Sequence, residues 1–169
     1  VWDYSEGARV LCASSISFDV SLLEGLLSLL LGAAVVLAQE HEVNIPQNMI
    51  RLIEDAGVNM TMLTPGRMEL LLSHEWGGAC LRNFREIALA GDVMTAQLLR
   101  HIQENTRARI INAYGPTEIT VICICNDVTS KKVPDIGRPM HNVKAYILDG
   151  HKRIVPVGVQ GELYIGGAG

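Results

Sequence analysis

From residue 9 to residue 125, apolar runs of strand length alternate with longer stretches of helical character. Residues 9–13, 34–38, 58–63, 87–90, 109–113 and 119–125 are strand candidates; residues 21–31, 44–55, 65–72 and 96–105 are helix candidates. Neighbouring strands can run parallel only if a crossover, usually a helix, carries the chain back. The rhythm therefore predicts an α/β fold: a mostly parallel sheet with helices on both faces.

Local chemistry marks the boundaries. Ser21 or Asp19 is available to cap the first helix, with Glu24 in its first turn. Asn44 is placed to cap the second, with Pro46 in the first turn, Gln47 three residues on and Gly57 to stop it. Thr64-Pro65 opens the third helix and Thr95 caps the fourth. Past residue 128 the helical signal ends. Residues 143–148 and 161–165 read as strands, with Asp149-Gly150 as a hairpin turn. The expected division is an α/β subdomain over residues 1–127, then the start of a β-rich subdomain over residues 128–169. The chain opens at Val1 and closes inside a turn-like Gly166-Gly167-Ala168-Gly169, so both ends read as cut.

Composition excludes several classes. With 49% hydrophobic residues in 169, a full core forms and disorder is excluded. The net charge of −4, scattered basic residues and 5% aromatic content give neither a basic stripe nor a base-stacking surface for nucleic acid. Cys12, Cys80, Cys123 and Cys125 match no zinc spacing and read as buried thiols, a pattern that suits the reducing cytoplasm. Cys123 and Cys125 alternate with isoleucine and are expected on one face of a strand. Residues 22–38 are interrupted by Glu24, Gly25 and Gly32 and fall short of the roughly 20 apolar residues that a membrane span needs. No basic segment precedes them as in a signal peptide.

The chemistry-bearing segments follow strands, where an open parallel sheet places its ligand crevice. Asn112-Ala113-Tyr114-Gly115-Pro116-Thr117-Glu118 brings together an amide, an aromatic face, a glycine turn, a hydroxyl and a carboxylate. Tyr114 offers a surface for a planar ring, and Glu118 and Thr117 offer oxygens for Mg²⁺ and phosphate. A nucleotide-phosphate site competes here with a turn that Asn and Thr merely cap. In Ser17-Phe18-Asp19-Val20-Ser21, the Asp19 carboxylate lies between two apolar elements; it is a counter-ion for an ammonium or a helix cap. In Ala88-Leu89-Ala90-Gly91-Asp92, the glycine permits close approach to the backbone or simply turns the chain.

Together these segments resemble the adenylation domain of nonribosomal peptide synthetases, in the adenylate-forming superfamily with acyl-CoA synthetases and luciferases. The matching runs are Phe18-Asp19-Val20-Ser21, the heptapeptide from Asn112 to Glu118, Ile136-Gly137-Arg138-Pro139, and Gly161-Glu162-Leu163-Tyr164-Ile165-Gly166-Gly167. The resemblance implies a flavodoxin-like sheet and activation of an amino acid by ATP to aminoacyl-AMP and pyrophosphate. Transfer to the pantetheine of a carrier (thiolation) domain would follow, with condensation domains as further partners in the parent synthetase. It implies catalytic roles for Glu118, as the Mg²⁺ ligand, and for Thr117 on phosphate. It places Gly91, Asp92, Asn112, Tyr114 and Gly115 around adenine, and Asp19 on the substrate's α-ammonium. The side-chain pocket would comprise Val20, Leu23, Met62, Ala88, Ala90, Ala113, Val121 and Ile122. All are apolar, so a hydrophobic amino acid of medium to large size is expected.

The family's phosphate loop, its ribose-binding aspartate and its mobile C-terminal subdomain with a lysine have no counterpart in these residues. The reading is the central portion of an adenylation domain, inactive alone. Two alternatives stand beside it: an acyl- or aryl-acid ligase of the same superfamily, and a non-catalytic substrate-binding subdomain.

Overall fold

The computed structural model describes Trp2, Tyr4 and residues 6–168. The strands are β1 (Arg9–Cys12), β2 (Ala34–Leu37), β3 (Met60–Leu63), β4 (Glu86–Leu89), β5 (Arg109–Tyr114), β6 (Ile124–Asp127), β7 (Arg138–Pro139), β8 (Val143–Leu148) and β9 (Glu162–Gly167). Seven form one sheet in the order β2-β1-β3-β4-β5-β6-β7; β8 and β9 pair in a separate antiparallel sheet. β1 to β5 are mutually parallel, and β6 and β7 are antiparallel additions at one edge. The order 2-1-3-4-5 is that of flavodoxin-like sheets, which reverse direction between β1 and β3. The edge strand β7 comes from beyond residue 128, so the sheet draws on residues past the expected subdomain boundary.

Two faces of the sheet bury different things. Leu11, Leu63, Ile87, Leu89 and Ile110 point to one face. There they meet α3 (Pro46–Asp55), α4 (Pro65–Leu72), α5 (Gly77–Cys80) and α6 (Ala96–Asn105) through Ile53, Leu71, Cys80, Leu99 and Ile102, all fully buried. The alternate strand positions Met62, Ala88, Ala90, Ile111 and Ala113 point the other way and meet Leu23 of α1. This helix is π-wound over Leu22–Leu27 and α-wound over Ser28–Leu30. Helices thus cover both faces, but α1 leaves Leu22, Leu26, Leu29 and Leu30 exposed. No helix among the described residues is long and apolar enough to cross a membrane.

Thr64 and Thr95 cap α4 and α6 as expected, each hydroxyl accepting a backbone N–H three residues on. Three local expectations are corrected. Asn44 and Gln47 cap nothing: α3 begins at Pro46 behind an extended Ile45, because a residue before proline avoids the helical region. Asn44 instead ends a separate short helix, α2 (Glu40–Val43), where the Gln39 N–H donates to the Glu42 carboxylate at 2.7 Å. Residues 119–125 are not one strand. A 3₁₀ turn at Thr117–Ile119 and left-handed backbone at Thr120 and Val121 reverse the chain first, and β6 starts only at Ile124. Cys123 is therefore buried outside the strand, its N–H donating to the Tyr114 carbonyl. The turn after β8 is wider than Asp149-Gly150: the Asp149 carboxylate accepts the N–H groups of both His151 and Arg153.

Candidate functional site

Ser14, Thr64, Gly91 and Gly115 each lie just past the carboxyl end of a parallel strand. They line one cavity of about 390 Å³ together with Asp19, Val20, Met62, Arg67, Ala90, Pro116, Thr117 and Val121. This is the edge where strand geometry opens a crevice, beside the reversal between β1 and β3. Larger hollows exist, but the one against Arg109, Lys131 and Asp135 is built of charges already paired with neighbours.

Asp19 is only partly buried, and no hydrogen bond to its carboxylate occurs among the described residues. It does not cap α1: the Leu22 N–H goes to the Asp19 backbone carbonyl, and the Ser21 hydroxyl goes to the Phe18 carbonyl. A carboxylate left without an intramolecular partner, facing a cavity, is available to a cation.

Seven of the eight expected pocket residues, Val20, Leu23, Met62, Ala88, Ala90, Ala113 and Ile122, belong to one apolar cluster on the α1 face of the sheet. Val20, Met62 and Ala90 reach the cavity wall, where Val121 joins them; the others pack behind it. Val121 holds φ +66°, which is rare for a β-branched residue. Gly115 makes that turn possible. A Cβ on it would strike the Val121 carbonyl oxygen and lie 2.7 Å from the Ile122 Cα. Gly91 adopts φ +86°, open to glycine at little cost.

The expected nucleotide residues divide. Gly91, Gly115 and Thr117 are in the cavity wall. Glu118 is exposed on the 3₁₀ turn beside Thr117, and no cluster of three or more metal-ligating side chains occurs among the described residues. A lone carboxylate next to a hydroxyl suits Mg²⁺ that keeps its waters and takes other ligands from phosphate oxygens. Tyr114 is exposed at the end of β5, and Asp92 accepts the N–H of its neighbour Val93. Asn112 is buried and its amide donates to the Asp135 carbonyl at 3.0 Å, tying the β6–β7 connection to β5.

Sequence reasoning missed Arg67, the one cationic side chain that the described residues place in this wall. The signal was present: Arg67 lies in the first turn of the helix that Thr64-Pro65 opens, at the same sheet edge as the motifs. Ser14 and Ser15 were missed as well. So was Glu24, which accepts the Ala13 and Ser14 N–H groups at 3.0 and 2.8 Å and the Ser14 hydroxyl at 2.9 Å. Burial pushes the Glu24 carboxyl up, and the bonds from Ser14 and Ala13 pull part of the way back. Burial and the neighbouring Glu24 carboxylate raise the Cys12 thiol to about 11.

The family model for AMP-binding enzymes matches residues 1–169. The chain is similar to the dimodular nonribosomal peptide synthase of Bacillus subtilis (strain 168), 35% identical over 97% of this chain and 7% of that protein. It is similar to the chondramide synthase of Chondromyces crocatus, 36% identical over 99% of this chain and 4% of that protein. The chain therefore spans under a tenth of the length of these relatives. Among solved structures it resembles holo-AB3403, a four-domain nonribosomal peptide synthetase bound to AMP and glycine. The TM-score is 0.85 at 31% identity, covering 95% of this chain and 12% of that one. Holo-PA1221, which contains adenylation and PCP domains, gives a TM-score of 0.88 at 26% identity, covering 99% and 30%. This chain belongs to the AMP-binding enzyme family, as an adenylation region of the nonribosomal peptide synthetase type.

Proposed function

We propose that these residues form the amino-acid pocket and part of the nucleotide site of an enzyme that activates a hydrophobic amino acid with ATP. The single observation that carries the reading is Asp19, a carboxylate with no hydrogen bond among the described residues, in the same cavity wall as Gly91, Gly115 and Thr117 and above an apolar cluster. The substrate ammonium pairs with Asp19. Its side chain enters toward Val20, Met62, Ala90 and Val121, with Leu23, Ala88, Ala113 and Ile122 behind them. These eight side chains are all apolar and offer a buried charge no partner of their own.

The substrate carboxylate oxygen then attacks the α-phosphorus of ATP. The bond to the leaving oxygen breaks, giving aminoacyl-AMP and pyrophosphate. Thr117 donates to a phosphate oxygen, and Glu118 is the residue that would hold Mg²⁺, which neutralises phosphate charge when bound. Tyr114, with Gly91 and Asp92 opposite, would flank adenine, and Asn112 would stand near its edge through the loop it ties down. Catalysis on this scheme is mostly positioning and electrostatics. The acyl group passes next to the pantetheine thiol of a carrier domain. These residues supply only part of the nucleotide site, so turnover belongs to the full-length polypeptide and not to the 169 residues alone.

The test is amino-acid-dependent exchange of radiolabelled pyrophosphate into ATP by the full-length polypeptide. Exchange with leucine, methionine or phenylalanine, lost in Asp19→Asn, supports the proposal. Exchange only with acids lacking an amino group would make the protein an acyl- or aryl-acid ligase instead.

A further inference from the structure

The sheet stops holding the chain at Cys12, the last residue of β1, whose carbonyl accepts the Ala38 N–H. Beyond it, Ser15, Ile16, Ser17 and Phe18 are exposed until Asp19 turns back into the cavity. The peptide unit between Ala13 and Ser14 is nevertheless bonded at both edges. Its N–H donates to Glu24 at 2.8 Å, and its carbonyl accepts from the Arg67 Nη1 at 2.7 Å. The preceding N–H, on Ala13, also goes to Glu24, at 3.0 Å. Glu24 reaches in from α1 and Arg67 from α4, 54 positions beyond Ala13 along the chain.

Glu24 is 2% exposed. A buried carboxylate is costly unless donors surround it, and the donors here come from Ala13 and Ser14, with the Cys12 thiol beside them. Glu24 is therefore committed to this loop. Arg67 also lines the cavity wall.

We propose that Glu24 and Arg67 are positioning residues that lock the Ala13–Ser14 peptide, and so fix where the Asp19 carboxylate stands for the substrate ammonium. The inference rests on the amino-acid reading above. Neither residue needs to touch the substrate to act. Releasing the peptide lets the exposed loop swing, and Asp19 then meets the ammonium in only a fraction of its conformations, which weakens apparent binding by that fraction. ATP, held by residues after β4 and β5, is spared.

The test uses the full-length polypeptide with Glu24→Gln, Arg67→Met and Arg67→Lys. Glu24→Gln keeps the shape but puts an amide N–H₂ among donors. Loss of a hydrogen bond to a charged group corresponds to roughly tenfold, so the amino-acid KM rises about tenfold in Glu24→Gln and in Arg67→Met. The ATP KM stays within about twofold, and Arg67→Lys recovers most of the loss, because its ammonium can still donate. Equal rises in both KM values, or no rise, would overturn the proposal as a merely structural role.

Hydrogen exchange of the Ala13 and Ser14 amides gives a readout that needs no substrate. Both are protected in the parent protein and exchange about tenfold or more faster in the variants. A Ser14 amide that exchanges like a free loop amide in the parent removes the lock whatever the enzyme does. Protected amides in a protein that activates no amino acid would overturn the substrate reading while the lock itself stands.

Discussion

Arg109 on β5 donates to the Asp127 carboxylate on β6 at 2.8 Å, and the same guanidinium lies 3.3 Å from the buried Glu86 on β4. Three adjacent strands are tied on one face where parallel pairing gives way to antiparallel. Burial alone would raise Asp127, but hydrogen bonds from Arg109 and Thr129 outweigh it and hold the carboxyl below its ordinary range. A carboxyl lowered by folding stabilises the fold above the unfolded value of about 3.9 and loses that contribution as pH falls through the folded value. Asp127→Asn should lower the urea midpoint at pH 7. The gap to the parent protein should narrow as pH falls below about 3.9 and through the folded value of Asp127. Urea titrations from pH 7 downward check this.

Gly115→Ala should be the most disruptive single-methyl change in the cavity wall. The added carbon meets backbone of Val121 and Ile122, which no rotamer change relieves. Overpacking of this kind costs about 1–3 kcal/mol. Gly66→Ala is the control: nothing lies within 4 Å of its Cβ position, and alanine favours the helical turn it occupies. Denaturant midpoints of the two variants should move in opposite directions.

The thiols should be slow to alkylate while the fold is intact. Cys12 is raised to about 11 by burial and then by Glu24, and Cys80 to about 12 by burial and then by Glu54. At pH 8 the Cys12 thiolate fraction is about two orders of magnitude below that of a free cysteine, so its rate with iodoacetamide falls accordingly. Glu24→Gln removes the adjacent charge and should speed alkylation of Cys12 but not of Cys80. Peptide mapping after timed quenching reads both sites.

Ala90→Val should narrow the cavity without touching the opposite core, since Ala90 lines the wall and belongs to the α1-face cluster. Pyrophosphate exchange by the full-length polypeptide should fall more for phenylalanine than for alanine or valine. A difference of one methylene corresponds to about 10- to 200-fold discrimination.

The elements of this fold were legible where periodicity and capping agreed. Thr64-Pro65 and Thr95 set their helices because one hydroxyl satisfies one free N–H, a local matter that spacing records. The stretch from Ile119 to Cys125 misled because its β-branched residues favour a strand, while the contact between Gly115 and Val121 forces a reversal there. The placement of Asp19 and Ala90 at one sheet edge was legible because each follows a strand. The bonds that Arg67 and Glu24 make were not, because their partners at Ala13 and Ser14 are mostly backbone groups that carry no signature in the side-chain sequence.

Alternation along β3 and β4 has a consequence for how such a protein diversifies. Leu89 holds the helical layer, while Met62 and Ala90, on alternate positions, line the cavity. A substitution on the cavity side can therefore reshape the hollow while the side chains beneath the helices keep their packing, so one scaffold can carry differently shaped hollows.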